Sequence, residues 1–178
     1  SQPPPRMATL RYRGHVTRDG RACAMRDFVA PPSVAELRAP VVLIIGTSMD
    51  AGKTVAGTRI VRELKEMDLR VAATKLTGVG RLKDLLAMWD AGADAIVDFV
   101  DAGLPSTAVP TAVFEPALQW ILARLAESDP DVVVAEAGAS PLEPYNGEAV
   151  VRILGDRRRC TVLCASDPYA VVGVISGF

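Results

Sequence analysis

IIGTSMDAGKTVAG, residues 44–57, follows an apolar run and precedes a helical pattern. Phosphate-binding loops usually read G-x-x-x-x-G-K-[S/T], which would require a glycine at position 47. Thr47 stands there, and the first glycine is Gly46 instead. The surroundings are nonetheless those of such a loop, because a strand pattern leads into Gly46 and a helical pattern opens at the Gly-Lys-Thr triplet. We therefore interpret residues 46–55 as a phosphate-binding loop that is one residue longer than usual.

Each residue type in this loop has a physical role in binding a nucleotide. Backbone amides at a helix N-terminus attract phosphate oxygens, and Gly52 lets the backbone approach them closely. Lys53 would reach the β- and γ-phosphates, and the Thr54 hydroxyl would bind Mg²⁺. The nucleotide contacts are therefore expected from ten consecutive residues: Gly46, Thr47, Ser48, Met49, Asp50, Ala51, Gly52, Lys53, Thr54 and Val55.

The sequence on both sides of the loop predicts an α/β fold. Residues 41–45, VVLII, are wholly apolar, which suits a strand buried on both faces of a parallel sheet. Helical patterns separate the strand candidates, and one of these helices is expected to begin at Pro116. This alternation predicts a parallel β-sheet flanked by helices. The other strand candidates are RVAATK, DAIVDFVDAG, DVVVAE and CTVLCAS.

The first 38 residues differ from the rest of the chain. Residues 9–29 alternate apolar and polar side chains around Asp19-Gly20, a pattern typical of a β-hairpin, and prolines follow. We therefore predict an N-terminal β-hairpin extension and linker at residues 1–38 and a nucleotide-binding domain at residues 39–178. Because the last predicted elements end early for this kind of sheet, the domain is expected to be C-terminally incomplete.

Composition limits the classes of function that the chain can have. The 178 residues are 49% hydrophobic and 23% charged, with a formal net charge of −1. We therefore expect a globular protein with no nucleic-acid partner, since it lacks a basic excess. No apolar stretch approaches the roughly 20 residues of a membrane span, and no signal core is visible, so we expect no membrane partner and a cytoplasmic location. His15 is the single histidine, which leaves little material for zinc sites or histidine-based triads.

Three motifs in order resemble those of one enzyme family. The loop GTSMDAGKT is similar to G-T-[D/T/S]-x-x-x-G-K-[S/T], the loop of dethiobiotin synthetase and of the synthetase domain of cobyric acid synthase. Next, VAATKLTGVGRLKD resembles the strand of dethiobiotin synthetase that ends in a lysine, followed by small residues and an aspartate. Last, VVVAEAGASPLEPYNG resembles the E-G-A-G strand end of both enzymes and the S-P-x-E-x-N segment of cobyric acid synthase. The resemblance covers residues 41–178 and implies the P-loop NTPase fold.

The resemblance also implies a chemistry. These enzymes use ATP and Mg²⁺ to phosphorylate a carboxylate or carbamate oxygen, and a nitrogen then attacks the mixed anhydride. The implied partner is a small-molecule carboxylate substrate, and a homodimer is an open alternative to a monomer. ATP is the default nucleotide, because no N-K-x-D guanine motif is present. The implied roles are catalytic for Lys53 and Lys75, magnesium-binding for Thr54, Asp84 and Glu136, and substrate-binding for Lys75, Thr77, Gly78, Gly138 and Ser140.

Several alternatives remain open at the level of sequence. Asp84 could be an exposed charge on a helix, and Lys75 could be a solvated strand end. Asp98 and Asp101 compete with Glu136 for the acidic metal position. A function from another class is also open, namely a nucleotide-binding regulatory or switch module that controls a partner or a missing C-terminal domain.

Overall fold

A computed structural model describes residues 8–33, 36–138 and 140–177. Five strands form one parallel sheet, and the predicted apolar run at residues 41–45 supplies a strand in its interior. The strands are β3 (Val41–Gly46), β4 (Val71–Thr77), β5 (Ala95–Asp98), β6 (Val132–Ala137) and β7 (Arg158–Cys164), after a hairpin of β1 (Thr17–Arg18) and β2 (Arg21–Ala22). The order across the sheet is β5-β4-β6-β3-β7.

Helices cover both faces of this sheet, which confirms the predicted parallel sheet flanked by helices. The helices are α1 (Lys53–Glu66), α2 (Leu82–Asp90), α3 (Thr111–Ala126), α4 (Gly147–Leu154) and α5 (Pro168–Gly177). Successive strand residues point to opposite faces, so Val71 packs with α1 and α2, whereas Ala72 packs with α3 and α4. Two buried cores result, one on each face of the sheet.

Helix α3 begins at Thr111, and the predicted start at Pro116 is wrong. Two prolines could open this helix, and the earlier one, Pro110, does so. The amides of Val113 and Phe114 donate to the Pro110 carbonyl at 2.8 and 3.1 Å. Phe114 is fully buried, so the first turn already contributes to the core. Burial of the Phe114 ring therefore favours a helix that begins before Pro116, although Pro116 has no amide hydrogen to donate within the helix.

The N-terminal hairpin is present as predicted. Asp19 and Gly20 occupy its turn with φ of 51° and 76°, as a two-residue hairpin turn with positive φ requires. Downstream of the hairpin, the extension contacts the sheet domain, because the Trp120 indole donates to the Ala30 carbonyl at 2.8 Å. The division into residues 1–38 and 39–178 stays a prediction. Across the described ranges, no helix combines the length and the apolar character that a bilayer span requires.

Candidate functional site

The predicted phosphate-binding loop connects the C-terminal end of β3 to the first turn of α1. Its backbone takes left-handed values at Asp50 and Gly52, with φ of 61° and 96°. Glycine adopts such values without strain, so Gly52 suits the position at which the loop turns into the helix. The Thr47 amide donates to the Cys164 carbonyl at 3.0 Å and continues the pairing of β3 with β7. The loop is therefore fixed at both ends by regular structure.

Lys53 curls back over the loop that precedes it. Its ammonium donates to the Ser48 carbonyl at 2.8 Å, and the side chain is almost fully buried. A Cβ atom at Gly46 would lie 2.8 Å from Cγ and Cδ of Lys53, so the glycine leaves the space that the lysine stem occupies. A phosphate oxygen is a stronger acceptor for an ammonium than a neutral carbonyl. The lysine is thus placed to exchange its backbone partner for a phosphate.

Thr54 and Glu136 meet at the base of the site. The Thr54 hydroxyl donates to Glu136 Oε2 at 3.0 Å, and Glu136 is only 3% exposed. Burial raises the pKa of Glu136, while the positive charge of Lys75 and the Thr54 hydrogen bond oppose that rise. A buried carboxylate of this kind is stabilised by a cation.

The donor set suits Mg²⁺. Hydroxyl and carboxylate oxygens are its usual protein ligands, and phosphates and water normally complete its octahedron. No group of three or more histidine, cysteine or acidic side chains within the described part of the chain is arranged to hold a metal. The Thr54 hydroxyl and the Glu136 carboxylate fit a magnesium ion whose other ligands are phosphate and water oxygens.

Lys75 forms a partly buried ion pair with Asp84. The Lys75 ammonium lies 2.6 Å from Asp84 Oδ2, and the two side chains are 7% and 20% exposed. Lys75 also lies between Glu136 and Asp98 in the register of β4 with its neighbouring strands. Asp84 is thus neither a fully exposed helix charge nor distant from the loop, and Lys75 is not a solvated strand end.

Asp98 and Asp101, the competing acidic residues, close the turn that follows β5. The Asp98 carboxylate accepts a hydrogen bond from the Val100 amide at 2.8 Å, and Asp101 accepts one from the Asp98 amide at 2.9 Å. Burial raises the pKa of Asp98. Neither residue lines the cavity that contains Glu136. The geometry therefore favours Glu136 over both as the carboxylate beside the loop.

Two residues expected to bind substrate are engaged elsewhere. The Thr77 hydroxyl donates to the Gly138 carbonyl at 3.1 Å, so its proton is already used in a hydrogen bond within the protein. The Ser140 amide donates to the Glu143 carboxylate at 2.6 Å and fixes a turn. Neither Thr77 nor Ser140 lines the cavity. Both residues help to hold β4, β6 and the following turn together, and their role as substrate ligands stays a prediction.

The end of the third motif also has a structural role. Asn146 has a φ of 65°, and its side-chain amide donates to the Thr107 and Val109 carbonyls at 2.8 and 2.9 Å. The Thr111 hydroxyl in turn donates to the Asn146 oxygen at 2.8 Å. This asparagine therefore fastens the start of α4 to the segment that leads into α3.

One cavity of about 540 Å³ brings the predicted catalytic and metal-binding side chains together. Gly46, Thr47, Ser48 and Ala51 of the loop do not line it. Arg81 and Tyr145 also line the cavity, and the sequence did not predict them. Both lie inside the quoted motifs, but at positions where the motifs specify no residue type. The predicted residues that line the cavity are Met49, Asp50, Gly52, Lys53, Thr54, Val55, Lys75, Gly78, Asp84, Glu136 and Gly138.

Gly138 is a position at which any side chain would disturb the site. A Cβ atom there would lie 2.3 Å from the Thr77 carbonyl oxygen and 3.0 Å from Lys75 Cε. We expect Gly138→Ala to lower the free energy of unfolding by roughly 1–3 kcal/mol, since overpacking has costs of this order. Gly173→Ala is the control, because a Cβ there meets nothing within 4 Å. Urea unfolding of both variants checks this, and equal stabilities would contradict the tight packing at Gly138.

Comparisons with known proteins identify no family for this chain. No protein-family model and no curated protein matches the chain. Among solved structures, the signal recognition particle receptor FtsY from Elizabethkingia anophelis is similar, with a TM-score of 0.43 and 18% sequence identity. The match covers 73% of this chain and 39% of that one, so the chain spans less than half of that structure's length. The parallel sheet, the helices on both faces and the loop from β3 into α1 agree with the fold expected from the sequence.

Proposed function

We propose that this chain binds ATP with Mg²⁺ at the β3–α1 loop and transfers the γ-phosphoryl group to a small carboxylate or carbamate. The observation that carries the proposal is that Thr54 contacts the buried Glu136 carboxylate in the cavity that also holds Lys53 and Lys75. A metal-binding hydroxyl, an acidic ligand and two cations are the parts that phosphoryl transfer requires. The three motifs similar to dethiobiotin synthetase support the choice of acceptor.

The proposed reaction needs positioning and charge neutralisation rather than a strong base. An ionised carboxylate oxygen attacks the γ-phosphorus, the bond to the β–γ bridging oxygen breaks, and ADP leaves with the electron pair. The acceptor is already deprotonated, so no general base is required. Bound Mg²⁺, held by Thr54 and Glu136, would supply neutralisation of the phosphate charge. Lys53 would hold the phosphates, and Lys75 would offset repulsion between the acceptor and the phosphoryl group.

Glu136→Gln should lower magnesium-dependent turnover more than it lowers nucleotide affinity. The amide preserves the size of the side chain but removes the charge that holds and orients the metal. A kinetic titration with Mg²⁺ and a separate nucleotide-binding titration distinguish the two effects. Asp98→Asn is the matched control, because Asp98 is equally buried but lies outside the cavity. If Asp98→Asn lowers magnesium-dependent turnover and Glu136→Gln does not, the metal was assigned to the wrong strand end.

Trapping of the product tests the proposed activity. We would incubate the protein with ATP, Mg²⁺, hydroxylamine and a panel of small carboxylic acids, because hydroxylamine converts acyl phosphates into hydroxamates. The expected result is a hydroxamate that forms only with ATP, Mg²⁺ and one class of acid. Competition with GTP tests the choice of nucleotide. ATP consumption that is unaffected by every acid, with no hydroxamate, would contradict the acceptor class.

The exposed apolar rim of the cavity favours a second candidate, a nucleotide-dependent switch. Met49 and Val55 on the loop and Val79 before α2 line the cavity with exposed side chains. An apolar rim suits contact with a partner that senses the bound nucleotide. Sedimentation with and without Mg·ATP tests the simplest form, a homodimer. Nucleotide-dependent association without hydroxamate formation would favour the switch over the enzyme.

A further inference from the structure

Lys75 and a magnesium ion would use the same carboxylate. Among the residues that the structure describes, the Lys75 ammonium has one short acceptor, Asp84 Oδ2 at 2.6 Å, and its contact to the Val79 carbonyl at 3.4 Å is long. Asp84 lines the cavity together with Thr54 and Glu136, the other two expected magnesium ligands. The ion pair therefore occupies an oxygen that the resemblance assigns to the metal.

The end of the Lys75 side chain has room to move into the cavity. Gly78 and Gly138 flank its Cε atom, and a Cβ atom at these positions would lie 3.6 and 3.0 Å from it. Both glycines line the cavity. Neither residue places a side chain between the ammonium and the cavity, so a change of rotamer can carry Nζ away from Asp84.

Electrostatics makes the two partners of Asp84 mutually exclusive. A divalent cation on this carboxylate would lie within a few ångströms of the ammonium, where like charges repel strongly. We propose that Lys75 and the divalent cation exchange on Asp84, so that arrival of the metal–nucleotide complex releases the ammonium toward the phosphoryl group. This inference rests on the proposed function, because it describes the regulation of the same site.

The exchange imposes an order on binding. The acceptor carboxylate would pair with the Lys75 ammonium. Until the metal displaces this ammonium from Asp84, its charge is already neutralised. The acceptor therefore binds well only after the metal–nucleotide complex, which limits unproductive acceptor binding. Glu136 lines the same cavity and supplies a second carboxylate for the divalent cation.

A double-mutant cycle with Mn²⁺ as the probe tests the exchange. We would measure Mn²⁺ affinity by electron paramagnetic resonance at saturating ADP for wild type, Lys75→Met, Asp84→Asn and the double variant. Lys75→Met should raise Mn²⁺ affinity by roughly 5-fold or more, the lower end of typical coupling between sites, and Asp84→Asn should remove that gain. Lys65→Met is the matched control, because Lys65 pairs with Asp94 at 2.7 Å outside the cavity and should leave affinity unchanged.

Each other outcome overturns a defined part of the account. An equal gain in the Asp84→Asn background would mean that Lys75 acts only through its general charge, and a loss of affinity in Lys75→Met would mean that Asp84 bridges both cations. Either result overturns the exchange but leaves the proposed function intact. Failure of wild type to bind Mn·ADP at all would overturn both.

A measurement on wild type keeps the test valid if Lys75→Met does not fold. The chain has four lysines, so ¹⁵N-lysine labelling gives a small set of ammonium signals. The Lys75 signal should shift when Mg·ADP binds and stay close to its starting position with ADP alone. Equal shifts with and without Mg²⁺ would contradict a displacement that the metal causes.

Discussion

Lys53→Ala should weaken the binding of Mg·ATP by about 10²-fold or more while the protein stays folded. Hydrogen bonds to charged groups contribute about 1.5–3 kcal/mol each, and each 1.4 kcal/mol is a factor of ten in affinity. The Lys53 ammonium has the Ser48 carbonyl as its partner at 2.8 Å. Ser48 is partly exposed, so water can replace the lost donor. The variant therefore removes a phosphate ligand without leaving a buried acceptor unsatisfied.

Calorimetric titration of Mg·ATP into the variant measures this loss. Lys83→Ala is the control, since Lys83 is an exposed lysine of α2 that does not line the cavity. The control should bind as wild type does. Circular dichroism verifies that both variants are folded. Unchanged ATP affinity in a folded Lys53→Ala protein would remove the β3–α1 loop as the phosphate site.

Lys75→Ala should lower turnover by roughly 10²-fold or more and leave ATP affinity within a few-fold, because loss of one preorganised electrostatic group has an effect of this size. In the proposed reaction, Lys75 acts where the acceptor and the phosphoryl group approach each other. Lys75→Arg should restore activity only in part, because a planar guanidinium does not replace a compact ammonium.

The rate of hydroxamate formation with the identified acceptor measures the Lys75 effect. Lys65→Ala serves as the control, since it removes a lysine from an ion pair elsewhere on the surface. A substrate titration separates lost turnover from lost binding. Wild-type turnover in Lys75→Ala would contradict a catalytic role for Lys75 and leave only its structural ion pair with Asp84.

Local patterns were sufficient to predict most of the fold. The apolar run of β3 and its neighbours, alternating with helical periodicity, predicts a parallel sheet, because a strand buried on both faces needs helices on both faces. The hairpin turn at Asp19-Gly20 was likewise determined by residues that accept positive φ. Pro116 failed as a helix start because burial of Phe114, a tertiary effect, outweighed the local preference of proline.

The candidate site was predictable where a functional side chain lies in the loop or at the end of a strand. Thr54, Lys53 and Glu136 lie where strand ends and the loop place them, so motif order brought them together. Thr77 and Ser140 have suitable chemistry, but the Thr77 hydroxyl donates to the Gly138 carbonyl after β6, and the Ser140 amide donates to Glu143 in a local turn. Sequence spacing does not show which polar atoms the fold itself uses. Nor does it show that Arg81 and Tyr145 line the cavity, because tertiary placement brings them there.

A crystal structure with Mg²⁺ and a non-hydrolysable ATP analogue tests the central claim most directly. We expect the phosphates on the backbone amides of residues 51–55, the Lys53 ammonium on the phosphates instead of Ser48, and the metal in contact with the Thr54 hydroxyl and Glu136. Lys75 should have left Asp84 in the same structure. An analogue bound outside this cavity, or no analogue at millimolar concentration in well-ordered crystals, would contradict the assignment of a nucleotide site to this loop.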